Sequence, residues 1–179
     1  VRLLAGFTMA EQVIVSGVNL GWITIVGDDP STTINRAYLI DLIPGGAGYA
    51  AFSALEAGVL PKIGQLFQMN TAGDATDRHG ISLVNGSSAT VAVGKGVQNA
   101  GGIGARVSTC SGMIAMYGDF RNSGSHGIYA TAASEVSCAN VNARNCVGIG
   151  LYATSGSRIN AINADVQGCG VSGITAAQA

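Results

Sequence analysis

From residue 80 onward the apolar and polar positions of the chain fall into columns. Gly80, Gly104, Gly127, Gly150 and Gly173 recur at intervals of 24, 23, 23 and 23 residues. One place after each glycine stand Ile81, Ala105, Ile128, Leu151 and Ile174, and three places after it Leu83, Val107, Ala130, Ala153 and Ala176. Apolar residues at every second position predict a strand with one face buried. Farther along each unit Met113, Val136 and Ile159 align, then Ala115, Cys138 and Ala161, then Phe120, Ala143 and Val166, then Ser123, Cys146 and Cys169. Each unit therefore predicts three short strands separated by polar corners. A serine column (Ser87, Ser111, Ser134, Ser157) marks one corner and an asparagine column (Asn99, Asn122, Asn145) another. Asparagine tolerates left-handed backbone, and its amides can bond one another when stacked.

Two consecutive units, residues 127–149 and 150–172, are identical at seven of 23 positions. Other solenoids fail on chemistry. A leucine-rich repeat needs several leucines per unit, and from residue 80 only Leu83 and Leu151 appear. Helical repeats need strong helix formers at 3.6-residue spacing, whereas these units are rich in Gly, Ser, Thr and Asn. The calcium-binding G-G-x-G-x-D pattern is absent. The expectation is all-β: a right-handed, single-stranded parallel β-helix with about 23 residues and three strands per coil. Coils stacked at about 4.8 Å would make a rod of roughly seven coils, on the order of 35 Å long. A narrow interior also suits the abundance of Ala, Val, Ile and Gly.

Before residue 79 the period blurs. Val13–Val15, Trp22–Val26, Ala37–Ile43 and Leu60–Met69 read as strands, Gly27–Ser31 as a turn containing Asp28 and Asp29, and Pro44–Gly48 as a loop. Ala50–Ala57 suits a short helix. The expected organisation is residues 1–79 as irregular coils with a loop excursion near residues 27–60, and residues 80–179 as regular coils.

Composition narrows the function classes. Charged residues make up only 11% of the chain and the net charge is −1, so the basic footprint of a nucleic-acid or anionic-membrane binder is missing. No run of eighteen apolar residues exists to span a membrane. Cys110, Cys138, Cys146 and Cys169 form no C-x-x-C pair, which argues against a zinc or redox motif, and no cofactor or metal is expected. Cys146 and Cys169 share a column and are expected to be stacked, buried free thiols, with a disulfide or a reactive thiol as the alternative. The chain opens without methionine or signal peptide and closes within a repeat unit, so a fragment of a longer polypeptide is expected.

The phrases VIVSGVNLGWITIVGDD and LPKIGQLFQM, followed by the HGI and GIG coils, resemble the right-handed β-helical tailspikes and tail fibres of bacteriophages and prophages. That resemblance implies binding of bacterial surface glycans, a parallel homotrimer, and a place in the virion tail after assembly in the bacterial cytoplasm. Many such proteins cleave capsule or lipopolysaccharide chains. No catalytic motif of the family matches positions here, so none of its functional residues is transferred.

Candidate chemistry comes from the outward columns. Glycan hydrolysis needs two carboxylates about 5 to 9 Å apart. Asp119 and Asp165 share one outward column with Asn142 between them, roughly 9.6 Å apart at two strand spacings. Arg121, Arg144 and Gln167 lie two places on, making a stripe suited to a glycan, or simply a solvated polar face. Asp74, Asp77, Arg78 and His79 form the densest charged cluster, which reads either as a site or as a turn before the first regular coil. Tyr129 and Tyr152 stack in one outward column and, with Trp22, could offer sugar platforms. His126 precedes Gly127 as His79 precedes Gly80, which reads as positional repetition. Glu135 and Arg158 should form a cross-strand ion pair.

The expected function is thus a segment of a phage or prophage tail shaft that contributes to recognition of bacterial surface polysaccharide. A polysaccharide hydrolase or lyase is one alternative, with Asp119, Asp165, Asp74 and Asp77 as candidate catalytic groups and Arg121, Arg144, Tyr129, Tyr152 and Trp22 as binding groups. A purely structural or adhesin rod is another.

Overall fold

The computed structural model describes residues 1–35, 50–70 and 78–177, and all the regular elements among them are strands. The first half contributes β1 (Arg2–Leu3), β2 (Thr8–Met9), β3 (Val13–Ser16), β4 (Thr24–Gly27), β5 (Thr32–Ile34), β6 (Ala50–Leu55), β7 (Lys62–Ile63) and β8 (Leu66–Met69). The repeat then contributes β9 (His79–Leu83), β10 (Ser88–Thr90), β11 (Gly96–Gln98), β12 (Ala105–Val107), β13 (Gly112–Ile114), β14 (Ile128–Ala130), β15 (Glu135–Ser137), β16 (Ile149–Thr154), β17 (Arg158–Asn160) and β18 (Ser172–Ala177).

Paired strands run parallel, and the chain returns to the same sheet once per pass. A seven-stranded sheet takes β3, β6, β9, β12, β14, β16 and β18 in chain order. A second side holds β1-β4-β7 and β10-β13-β15-β17, linked by a bridge between Ile63 and Val91. The third side holds β2-β5-β8-β11 and continues through bridges joining Asp119, Asn142 and Asp165. These long parallel sheets are consistent with a parallel β-helix. The columns read from the sequence are true register partners: Ile81 with Ala105, Ala105 with Ile128, Ile128 with Leu151, and Leu151 with Ile174.

Inward side chains of the three sides merge into one apolar cluster running from Met9 to Leu151. The repeating glycines follow from its narrowness. A Cβ on Gly127 would stand 2.6 Å from the Gly150 carbonyl oxygen and 2.7 Å from the Ala143 Cβ, and one on Gly150 would stand 2.7 Å from the Gly173 oxygen. Close approach of successive passes, not a special backbone angle, therefore requires glycine in that column.

The polar corners are ladders. Asn99, Asn122 and Asn145 are left-handed, with φ of 57°, 58° and 53°. Asn122 Nδ2 donates to Asn99 Oδ1 at 3.0 Å, and Asn145 Nδ2 to Asn122 Oδ1 at 3.5 Å. In the serine column the N–H groups of Ser87, Ser111 and Ser134 donate to the hydroxyl of the serine one pass later, at 3.2, 3.3 and 3.0 Å. Each ladder satisfies backbone or amide groups that a bend would otherwise leave unpaired.

The first half departs from two expectations. Ala50–Leu55 is strand, not helix, because Val13–Ser16 on one edge and His79–Leu83 on the other complete its backbone bonding. Ala50, Ala51 and Ala54 are fully buried there, so tertiary pairing overrides the helical preference of alanine. The expected excursion is also narrower, since Thr32–Ile34 stays in register with Phe67–Met69. The expected strand Ala37–Ile43 and loop Pro44–Gly48 lie outside the described residues.

Candidate functional site

Two outward patches collect the candidate side chains, on either side of the corner marked by Asn122 and Asn145. The first lies on the third side. Asp119, Asn142 and Asp165 bridge in register, as the column requires. Arg121 Nε lies 3.5 Å from Asp119 Oδ1, and Arg144 Nη1 lies 3.5 Å from Asp165 Oδ2. Gln98, from β11, donates through Nε2 to Asp119 Oδ2 at 2.8 Å, and Gln68 of β8 donates to Gln98 Oε1 at 3.4 Å. A polar network therefore runs from the first half into the repeat.

The same side chains also bond their own backbone. Asp119 Oδ1 accepts the N–H of Arg121 at 3.4 Å, Asn142 Oδ1 that of Arg144 at 3.3 Å, and Asp165 Oδ1 that of Gln167 at 3.3 Å. The column thus needs a short side-chain acceptor, a task an asparagine performs as well as an aspartate. With Asn142 between them, Asp119 and Asp165 are two strand spacings apart, about 9.6 Å, beyond the roughly 5.5 Å of a retaining pair and close to the upper end of the roughly 6.5–9.5 Å of an inverting pair.

The second patch lies on the outer face of the seven-stranded sheet. Tyr129 of β14 and Tyr152 of β16 are register partners, and their rings stack with centroids 5.1 Å apart and planes 23° from parallel. His126 sits against both, 5.7 Å from the Tyr129 ring and 5.2 Å edge-on from that of Tyr152. Its Nδ1 accepts the N–H of Ile149 at 3.0 Å, as the Nδ1 of His79 accepts that of Ile103 at 3.0 Å. The positional repetition of the two histidines is thus a repeated backbone bond. It requires an unprotonated Nδ1, and burial holds the His126 pKa below its ordinary value. Arg106 of β12 is the register neighbour of Tyr129, and Thr175 of β18 that of Tyr152. Half-buried aromatic rings can take the C–H face of a sugar, and their hydroxyls can meet its polar edge.

Other candidates stay apart. Trp22, 80% exposed, lies between β3 and β4, far along the chain from the tyrosine pair. Asp74 and Asp77 lie outside the described residues. Glu135 and Arg158 are register partners, yet no ion pair within 4.0 Å joins them among the described residues. The exposed position of both side chains leaves each charge hydrated, which corrects the expected pair. Asp28 and Asp29 brace the first turn, Asp28 pairing with Arg2 and Asp29 Oδ2 accepting the Gly6 N–H at 2.7 Å. Sequence reasoning missed Gln98 and Arg106, although each lies one repeat before a candidate, at Arg121 and Tyr129. Compared with known proteins, the chain matches no family model, no curated protein and no solved structure.

Proposed function

We propose that this chain is a segment of the shaft of a phage or prophage tail spike or fibre, and that it contributes to recognition of bacterial surface polysaccharide. The fold reading that goes with it is a right-handed, single-stranded parallel β-helix of about 23 residues and three strands per coil, part of a longer chain. The observation that carries the recognition role is the outward His126–Tyr129–Tyr152 cluster, held on paired strands with Arg106 in the adjoining register position. A sheet-borne platform needs little ordering when it binds, so its aromatic contact area is preorganised. The Asp119–Arg121 and Arg144–Asp165 pairs offer a second polar row for hydroxyl or acidic substituents. In this reading three copies pack side by side as a homotrimer and the assembly belongs to the virion tail.

The test is direct binding of purified capsular and O-antigen polysaccharides to the protein and to a Tyr129→Ala/Tyr152→Ala variant. Binding to at least one polysaccharide, weakened about tenfold or more in the variant, is expected. Failure to bind any of the panel, or undiminished binding by the variant, overturns the reading. A second reading, a structural rod, is favoured by one observation: Asp119, Asn142, Asp165 and His126 each hold a backbone N–H. That reading expects no polysaccharide binding at all. Light scattering after size exclusion tests the trimer, and a stable monomer at micromolar concentration overturns it.

A further inference from the structure

Of the four free cysteines, only Cys146 and Cys169 occupy the same column on successive passes. The Gly170 N–H donates to the Cys146 carbonyl at 2.9 Å, just as the Val147 N–H donates to that of Ser123, which fixes the register of the column. Both thiols turn to the same acceptor: Cys146 Sγ lies 3.4 Å and Cys169 Sγ 3.2 Å from the Ala143 carbonyl oxygen. Adjacent parallel strands place such positions about 4.8 Å apart, inside the Cα range of roughly 4.4 to 6.8 Å that a disulfide spans. Cys138 lies in a column whose neighbours are Ala115 and Ala161, and Cys110 is exposed at a different corner, so neither competes for the pair.

We propose that Cys146 and Cys169 are a dithiol oxidation site, which closes to a disulfide that staples two successive passes of the stack. A bond between them ties two successive passes together, across the corner that Asn145 marks.

The chemistry is thiol–disulfide exchange with a low-molecular-weight disulfide such as oxidised glutathione. Cys169, the more exposed of the two, acts first. Its thiolate attacks one sulfur of the reagent, forming a mixed disulfide and expelling one thiolate. Cys146 then loses its proton to solvent and attacks the Cys169 sulfur, expelling the second thiolate. The two cysteines lose two electrons, the reagent gains them, and the released protons convert both leaving thiolates to thiols. Burial pushes the Cys146 thiol up to about 11, so the second step is the slower one.

The experiment uses the full chain carrying Cys110→Ser, which removes the exposed thiol and leaves three. After equilibration with oxidised glutathione, non-reducing peptide mapping should find Cys146 joined to Cys169, a product two hydrogens lighter, with Cys138 free. Tm should rise by roughly 5–10 °C and return on reduction. Adding Cys146→Ser should abolish the rise and trap glutathione on Cys169. A stable glutathione adduct on Cys169 while Cys146 is present, three thiols that stay free, or a cross-link that lowers Tm would each overturn the proposal.

Discussion

The first half of the molecule and the repeat that follows use the same inward columns with very different chain lengths between them. Val13 pairs with Phe52, 39 residues on, and Thr32 with Phe67, 35 residues on. Ala50 pairs with His79 at 29, whereas Ala105 with Ile128 and Ile128 with Leu151 are both at 23. The surplus falls between Ile34 and Ala50 and between Met69 and His79, at the step from the third side back to the seven-stranded sheet. Only inward positions and backbone pairing are held in common, so residues can be added at an outer step without disturbing the register. What the first half forgoes is repetition. It fills its interior individually, with Phe52 and Phe67 in contact at 4.9 Å between centroids. Gln65, 1% exposed, is satisfied by the Asp29 carbonyl at 2.9 Å and the Thr32 hydroxyl at 3.1 Å.

Four perturbations sharpen that contrast. The largest effect is expected in the first half, where Phe67→Ala empties a fully buried aromatic site and should cost about 4 kcal/mol in urea unfolding. Because stacked passes contact mainly their neighbours, hydrogen exchange should rise in residues 50–69 while residues 127–160 stay protected. Uniform loss of protection would show that the two regions unfold as one. In the repeat, overpacking of the glycine column is the perturbation to test. Gly127→Ala drives a Cβ against the Gly150 carbonyl and should cost about 2–3 kcal/mol, whereas Gly6→Ala, with nothing within 4 Å and only a left-handed φ of 74° to resist it, should cost about 1 kcal/mol. Equal costs would dissolve the distinction between crowded and open glycine positions.

The third perturbation is pH. Burial holds the folded-state pKa of His126 below its ordinary value of 6.5, so the unfolded chain takes up the proton first. Its contribution to stability is complete above about pH 6.5 and is lost as pH falls through the lower folded-state pKa. The urea midpoint should therefore slope downward below that point, and His126→Phe should flatten the slope. An unchanged slope in the variant would assign the effect elsewhere. The smallest effect is expected at the corner ladder. Asn122→Ala removes two side-chain hydrogen bonds, both solvent-exposed, and places alanine at a φ of 58°, for a loss of about 1 kcal/mol.

Much of the repeat was legible without coordinates, because a strict period turns sequence position into spatial position. Residues 23 apart are neighbours, so the glycine, serine and asparagine columns could be read directly, and so could the Tyr129–Tyr152 stack. The first half resisted that reading, since a variable interval between passes hides which residues meet. Ala50–Leu55 has the composition of a helix, and only its two flanking strands decide otherwise. The outward patches were half legible: the period placed Asp119, Asn142 and Asp165 in line but was silent on where their oxygens point.

Sequence alone determined the strand character of the repeat, the spacing of its passes and the small residues between them, because those depend on volume and periodicity. Tertiary structure decided the role of each polar group. Whether an aspartate braces its own backbone, a histidine accepts an amide proton or two thiols face one acceptor depends on directions and distances of an ångström or less, which no one-dimensional pattern encodes.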